Sequence, residues 1–175
     1  MENLTPTPQA DTSIFPKVMF NGKFARANSA HLIATGFGAG LLRPAPGTWG
    51  SLLGWISYYF LLQGVAPAWQ FGWIVAAFLL GCWACSVAGK NLGVADHGGF
   101  VWDEVVAMWL VLLMIPTSFW AQFWGFALFR FFDIVKPAPI RQIDALVKGG
   151  FGVMVDDIVA AGYAVLVFAI FVRVW

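Results

Sequence analysis

Five of the nine acidic side chains of this 175-residue sequence recur in three places: Asp103-Glu104, Asp133 and Asp156-Asp157. Each place borders an apolar run, so the acids stand at the ends of predicted helices. A single acid at a helix start is a capping device, favoured by free N–H groups and by the macrodipole. Adjacent pairs at two starts exceed that need, and Asp133 falls near a helix C-terminus, where negative charge is disfavoured. One hard divalent cation accounts for the whole set. Magnesium takes oxygen ligands, keeps several waters and bridges carboxylates to a phosphate. Glu104, Asp133, Asp156 and Asp157 are therefore the predicted ligands of Mg2+, with Asp103 a ligand or a support behind them. Asp103, Glu104, Asp133 and Asp157 are also the predicted catalytic acids.

The cations nearby indicate what such a site would hold. Arg130 precedes Asp133 by three residues and shares its helix face. Arg43, Lys90, Lys136, Arg141 and Lys148 flank the same surface, more positive charge than one ion pair requires. Arginine presents a planar fork that matches phosphate oxygens. The stretch P-G-T-W-G-S (46–51) adds Gly47, the Thr48 hydroxyl and a helix N-terminus, all suited to an anion. Thr48, Gly47, Arg130, Lys136 and Arg141 are the predicted phosphate-binding residues. His97, in D-H-G-G just before Trp102-Asp103-Glu104, joins them as a catalytic candidate, with His31 and Asp96 as possible support. Two histidines are too few for an ordinary zinc hydrolase centre, and no P-loop or G-x-S-x-G elbow occurs.

The elements that must position these residues are apolar. The chain is 60% hydrophobic and 11% charged, well below the roughly 25% charge of a soluble domain. The net charge of +1 and the lack of a basic stripe argue against nucleic acid as a partner. Residues 1–30 read as a flexible cytoplasmic arm with no signal-peptide pattern, and 31–175 as a single membrane domain. His31 to Leu42 reads as an interfacial helix or glycine turn, and Arg43 to Ser51 as a loop. The predicted fold is all-α and polytopic, with about five apolar helices near 50–63, 69–89, 100–115, 119–135 and 157–174. The first and third are short enough to be tilted or re-entrant. Cys82 and Cys85 lie within the second and read as small packing residues rather than a redox pair.

Threading these helices in order puts nine of the ten Lys and Arg residues on one side, with Arg173 alone opposite. The positive-inside rule makes the charged side cytoplasmic. The acids lie on that side, so the polar site is expected at the cytoplasmic interface. A small membrane cation carrier or channel is the alternative reading of clustered intramembrane acids. It predicts acids at mid-depth or on both faces, which the sequence does not show.

Five motifs carry a resemblance: H-L-I-A-T-G-F-G-A-G (31–40), P-G-T-W-G-S (46–51), D-H-G-G-F-V-W-D-E (96–104), F-R-F-F-D-I-V-K-P-A-P-I-R (129–141) and G-G-F-G-V-M-V-D-D-I-V-A-A-G (149–162). In this order and spacing they resemble the phosphatidylglycerophosphatase A family over residues 29–165. The resemblance implies a magnesium-dependent lipid phosphatase of the bacterial inner membrane. Its phospholipid substrate would be phosphatidylglycerophosphate, cleaved to phosphatidylglycerol on the way to cardiolipin. The sequence lacks the K-x6-R-P and S-G-H signatures of acid-phosphatase-like membrane enzymes and the D-x-D-x-[TV] nucleophile of haloacid dehalogenase phosphatases. Attack by a water and attack by a carboxylate that forms an aspartyl-phosphate both stay open, and water attack is preferred because no acid stands in a recognisable nucleophile motif.

The nine-to-one split of basic residues generates a test of sidedness. Cysteines placed at Ala95 and Ala145 should react with an impermeant reagent from the same, cytoplasmic side, and one at Ala66 from the opposite side. Labelling of positions 95 and 145 from different sides would separate the acids and dissolve the shared site.

Overall fold

The computed structural model describes residues 18–174, and all regular elements among them are helical. Two short helices lead: α1 (Gly22–Arg26) and α2 (Ser29–Ala34), followed by a 3-10 segment, Gly36–Leu41. Then come α3 (Pro46–Leu61), α4 (Pro67–Leu92), α5 (Trp102–Met114), α6 (Phe119–Val135), α7 (Ile140–Leu146) and α8 (Gly150–Val174). Of the segment expected as a flexible arm, residues 1–17 lie outside the described residues. The remainder contains α1 and the start of α2, with Phe24 and Ala30 buried.

Local chemistry sets the boundaries. The Asn21 side-chain oxygen accepts from the Lys23 and Phe24 amides at 2.9 and 3.0 Å, and Asn28 caps α2 in the same way. Pro46 and Pro67 occupy the first turns of α3 and α4, where a missing N–H costs nothing. Gly93 closes α4 in the left-handed region (φ 78°).

The architecture is organised around α5. Ten of its thirteen residues are buried, and α3, α4, α6 and α8 all pack against it. Close approach of α3 depends on small residues: a Cβ at Gly54 would lie 2.9 Å from Met108 Cβ and from the Val105 carbonyl. The outward faces of the surrounding helices remain apolar, with Phe60, Trp69, Trp120, Ile134 and Phe171 all exposed.

Several sequence-based boundaries change. The expected loop 43–51 ends at Ala45, because Pro46 already starts α3. The expected interfacial helix 31–42 breaks at Phe37 and Gly38, whose φ angles are 55° and 97°. The last helix begins at Gly150 rather than near Asp157. Its start is set by backbone packing, with the Gly150 amide donating to Ser86 Oγ at 3.1 Å. Asp156 and Asp157 therefore sit well inside α8 and not at its cap. Among the described residues, α4 and α8 are long and apolar enough to cross a membrane. At 1.5 Å per residue the 13 residues of α5 span about 20 Å, short of the roughly 30 Å of hydrocarbon. A helix enclosed by others has no lipid thickness to match, so α5 can be this short. Cys82 and Cys85 are free thiols, Cys85 fully buried in the packing face of α4.

Candidate functional site

Four helices deliver polar groups to one end of the bundle. The first turn of α5 supplies Asp103 and Glu104, α8 supplies Asp156 and Asp157, the last turns of α6 supply Arg130 and Asp133, and the first turns of α3 supply Gly47 and Ser51. Asp103, Glu104 and Asp157 each offer a carboxylate oxygen, and the three oxygens lie within 4.8 Å of one another. All three residues are buried, Asp157 at 3% exposure. At that separation two ionised carboxylates repel by roughly 3 kcal/mol even at an effective dielectric of about 20. Buried oxygens also need partners, yet Asp103 Oδ1, Glu104 Oε2, Asp156 Oδ1 and Asp157 Oδ2 have none among the described residues. Crowded, unpartnered carboxylate oxygens are the donor set of a hard divalent cation, so Asp103, Glu104 and Asp157 fit such an ion.

Arg130 borders this cluster. Its Nη1 lies 2.7 Å from Asp133 Oδ2, 3.7 Å from Glu104 Oε1 and 3.3 Å from Ser51 Oγ, while its buried Nε is unpartnered. Ser51 in turn donates to the Gly47 carbonyl at 2.9 Å. Gly47 is required by space, since a Cβ there would collide with Glu104 Oε1 and sit 2.9 Å from Arg130 Nη2. Thr48 is half-buried one residue on.

A second ion-pair group adjoins it. Lys136, the left-handed cap of α6 (φ 44°), places Nζ 2.6 Å from Asp156 Oδ2 and 3.3 Å from Asp144 Oδ2. Burial alone would lower the Lys136 pKa, but the Asp156 and Asp144 carboxylates outweigh it and hold the ammonium raised. Asp133 and Asp156 are thus ion-paired neighbours of the three-acid cluster. Arg141 is exposed on α7, and Asp96 is exposed in the loop before α5.

The hydrogen-bond partners of the histidines lie outside the acid cluster. His31 is buried, with Nδ1–H donating to the Phe24 carbonyl at 2.9 Å and Nε2 accepting from Asn91 at 2.8 Å. Both ring nitrogens are used, so His31 ties α1 and α2 to α4. His97 stacks on Phe20 with centroids 4.0 Å apart and accepts the Gly99 amide at Nδ1, 3.1 Å away. Burial pushes its pKa down, the Arg43 charge adds to that, and Asp96 opposes it. With Nδ1 accepting from Gly99, the neutral ring carries its proton on Nε2.

Ser51 and Asp144 are site residues that sequence reasoning did not single out. Ser51 lies within the P-G-T-W-G-S motif, one helical turn after Gly47, and that spacing is its signal. Asp144 had none beyond its place among the basic residues of 136–148.

Buried carboxylates set against a guanidinium at one end of an apolar helix bundle define an all-helical protein with a site built to handle concentrated charge. The sequence model of a family described as Phosphatidylglycerophosphatase A matches residues 32–172. A Haemophilus influenzae protein named "Phosphatidylglycerophosphatase A" is 49% identical over 146 residues, which cover 83% of this chain and 90% of that protein. One of the same name from Escherichia coli K12 is 41% identical over 149 residues, 82% of this chain and 84% of the relative. A Bacteroides thetaiotaomicron protein, named "Putative phosphatidylinositol-3-phosphatase", is 42% identical over 146 residues, 79% of this chain and 91% of the relative. No solved structure matches the chain. The chain belongs to the phosphatidylglycerophosphatase A family and is thereby a phosphoric monoester hydrolase.

Arg130 tests whether the guanidinium only pairs with Asp133. Lysine in its place keeps the charge but cannot serve Asp133, Ser51 and a further oxygen through a planar fork. Arg130→Lys should lower kcat about tenfold or more while the thermal midpoint in detergent stays within a few degrees. Turnover near wild type would assign Arg130 a purely structural pairing.

Proposed function

We propose that the protein is a magnesium-dependent lipid phosphatase that hydrolyses phosphatidylglycerophosphate to phosphatidylglycerol and inorganic phosphate. The observation that carries this reading is the set of unpartnered, buried carboxylate oxygens of Asp103, Glu104 and Asp157 beside Arg130, in a chain of this family. The relatives from Haemophilus influenzae and Escherichia coli carry that activity in their names. The third relative is named for a phosphoinositide, a different lipid that likewise carries a phosphate monoester.

Asp103, Glu104 and Asp157 would hold the ion, with Asp133 and Asp156 beside them. Magnesium supplies Lewis-acid chemistry there, offsetting phosphate charge and making a water more acidic. The protein's own groups supply the rest. Arg130, steadied by Asp133 and Ser51, holds the phosphate oxygens as charge builds on them. Gly47 keeps the start of α3 close enough for the Thr48 region to complete the cradle. The oxygen of a water forms the new bond to phosphorus while the ester bond to the glycerol oxygen breaks. Asp156 Oδ1 is buried and unpartnered, its other oxygen tied to Lys136. We assign it the proton of that water, and the departing alkoxide is protonated from solvent at the interface.

The setting follows from the same reading. The bundle, with exposed aromatic and aliphatic faces, would lie in the bacterial inner membrane as a multi-pass protein with its site on the cytoplasmic side. A lipid would keep its acyl chains in the bilayer and present its terminal phosphate at headgroup depth. A cation path is disfavoured by what lies below the acids: α5 buries Val105, Val106, Met108, Val111 and Leu112.

Purified protein with phosphatidylglycerophosphate in mixed micelles should release inorganic phosphate with magnesium and stop when EDTA is added. Asp103→Asn, Glu104→Gln and Asp157→Asn should each lower the rate at least about a hundredfold, the cost of losing a metal-site component. Near wild-type rates in two of the three, with folding intact, would place the magnesium centre elsewhere.

A further inference from the structure

Beside the carboxylate site lies a cavity of about 460 Å³ that the proposed hydrolysis does not use. Phe20, Asn21, Arg43, Pro46, His97 and Gly99 are among the residues that line it. Pro46 connects it to the site, because the next residue, Gly47, abuts Glu104 and Arg130. The walls are tightly fitted: a Cβ at Gly99 would collide with the Phe20 ring, and one at Gly40 with the Gly99 carbonyl.

The polar side chains that line this cavity among the described residues present hydrogen-bond donors to it. The Asn21 oxygen is consumed by two amides of α1, which leaves its NH2 group. His97 Nδ1 is consumed by the Gly99 amide, which leaves Nε2–H. Arg43 is exposed and, among the described residues, forms no ion pair. Among the described residues no carboxylate lines the cavity. A guanidinium, an imidazole N–H and an amide NH2 around one space are complementary to an anion rich in acceptor oxygens.

We propose that this cavity binds the bridging phosphodiester and glycerol of the lipid headgroup, so that Arg43, His97 and Asn21 select lipids carrying a second phosphate next to the monoester. The inference rests on the proposed lipid-phosphatase function and adds its specificity determinant. A monoester bound at Arg130 would leave the diester of the same headgroup to reach past Gly47 and Pro46 into the donors.

Two soluble probes separate the sources of phosphate: glycerophosphoglycerol, which has the diester and no monoester, and inorganic phosphate, which has neither tether nor diester. Binding to the purified full chain is read by calorimetry and, independently, by inhibition of phosphate release. Arg43→Gln should weaken glycerophosphoglycerol binding about tenfold, the loss of one charge-assisted contact worth about 1.4 kcal/mol, and leave inorganic phosphate binding unchanged. Asn21→Asp retains an oxygen to cap α1 but turns a donor into a negative charge, and should weaken the same probe at least as much. Equal losses for both probes would make the cavity a free-phosphate site and overturn the inference. So would unchanged binding in both variants, or no glycerophosphoglycerol binding to the wild type. A wild type that binds glycerophosphoglycerol in the predicted pattern but releases no phosphate from phosphatidylglycerophosphate would refute the reaction and not the cavity's ligand.

Discussion

Three carboxylates crowded into the end of an apolar helix bundle impose the constraint on which the rest of the structure depends. Asp103, Glu104 and Asp157 keep their oxygens within 4.8 Å of one another, where mutual repulsion and desolvation both oppose the charged state. Such a group persists where the surrounding fold holds it in place. That support is visible in how the elements are spent. The buried helix α5 carries two of the acids in its first turn, and α8 passes alongside with the third well inside its length. The bundle thus fixes the charges through packed backbone rather than through a mobile loop.

The cations divide their work around that cluster. Arg130 is oriented by Asp133 and Ser51, and touches the cluster only through Glu104, 3.7 Å away. Lys136 is bound to Asp156 and Asp144, which neutralises the outer acid of α8 and leaves the inner one, Asp157, without a counterion among the described residues. Protein charges alone therefore leave the centre electron-rich. The hydrogen-bond partners of the histidines lie outside it: one ring is locked between α1 and α4, and the other belongs to the donor-lined cavity. On the proposed reading, phosphate removal and recognition of the remaining headgroup would fall to adjacent but chemically opposite spaces, one rich in acceptors and one in donors.

Much of this was legible in the sequence because alternation of apolar runs is a topological statement. Helix order alone places Glu104, Arg130 and Asp157 toward one end, and the adjacency of acids in 103–104 and 156–157 exceeds what capping needs. Boundaries were less legible. Asp156-Asp157 reads as a helix start because charge normally ends an apolar run, whereas α8 begins six residues earlier, where Gly150 packs its backbone on α4. The passage 43–51 reads as a loop from its prolines and glycines, but Pro46 is a first-turn residue and Gly47 and Gly50 are there for close contact. The five apolar segments do form helices, yet only α4 and α8 have the length to cross a bilayer alone, since enclosure of α5 is a tertiary fact that hydropathy does not encode. The pairing of Lys136 with Asp144 depends on the left-handed cap of α6 and had no sequence signal.

The claim that these three carboxylates share one divalent cation is tested most directly by thermal unfolding in detergent as magnesium is titrated. The wild type should rise in Tm with magnesium and saturate, as expected for a ligand that binds the folded state. The triple variant Asp103→Asn, Glu104→Gln, Asp157→Asn should show no magnesium response and should melt above the metal-free wild type, because like-charge repulsion is gone. An identical magnesium response in both proteins, or a triple variant that melts below the metal-free wild type, would contradict it.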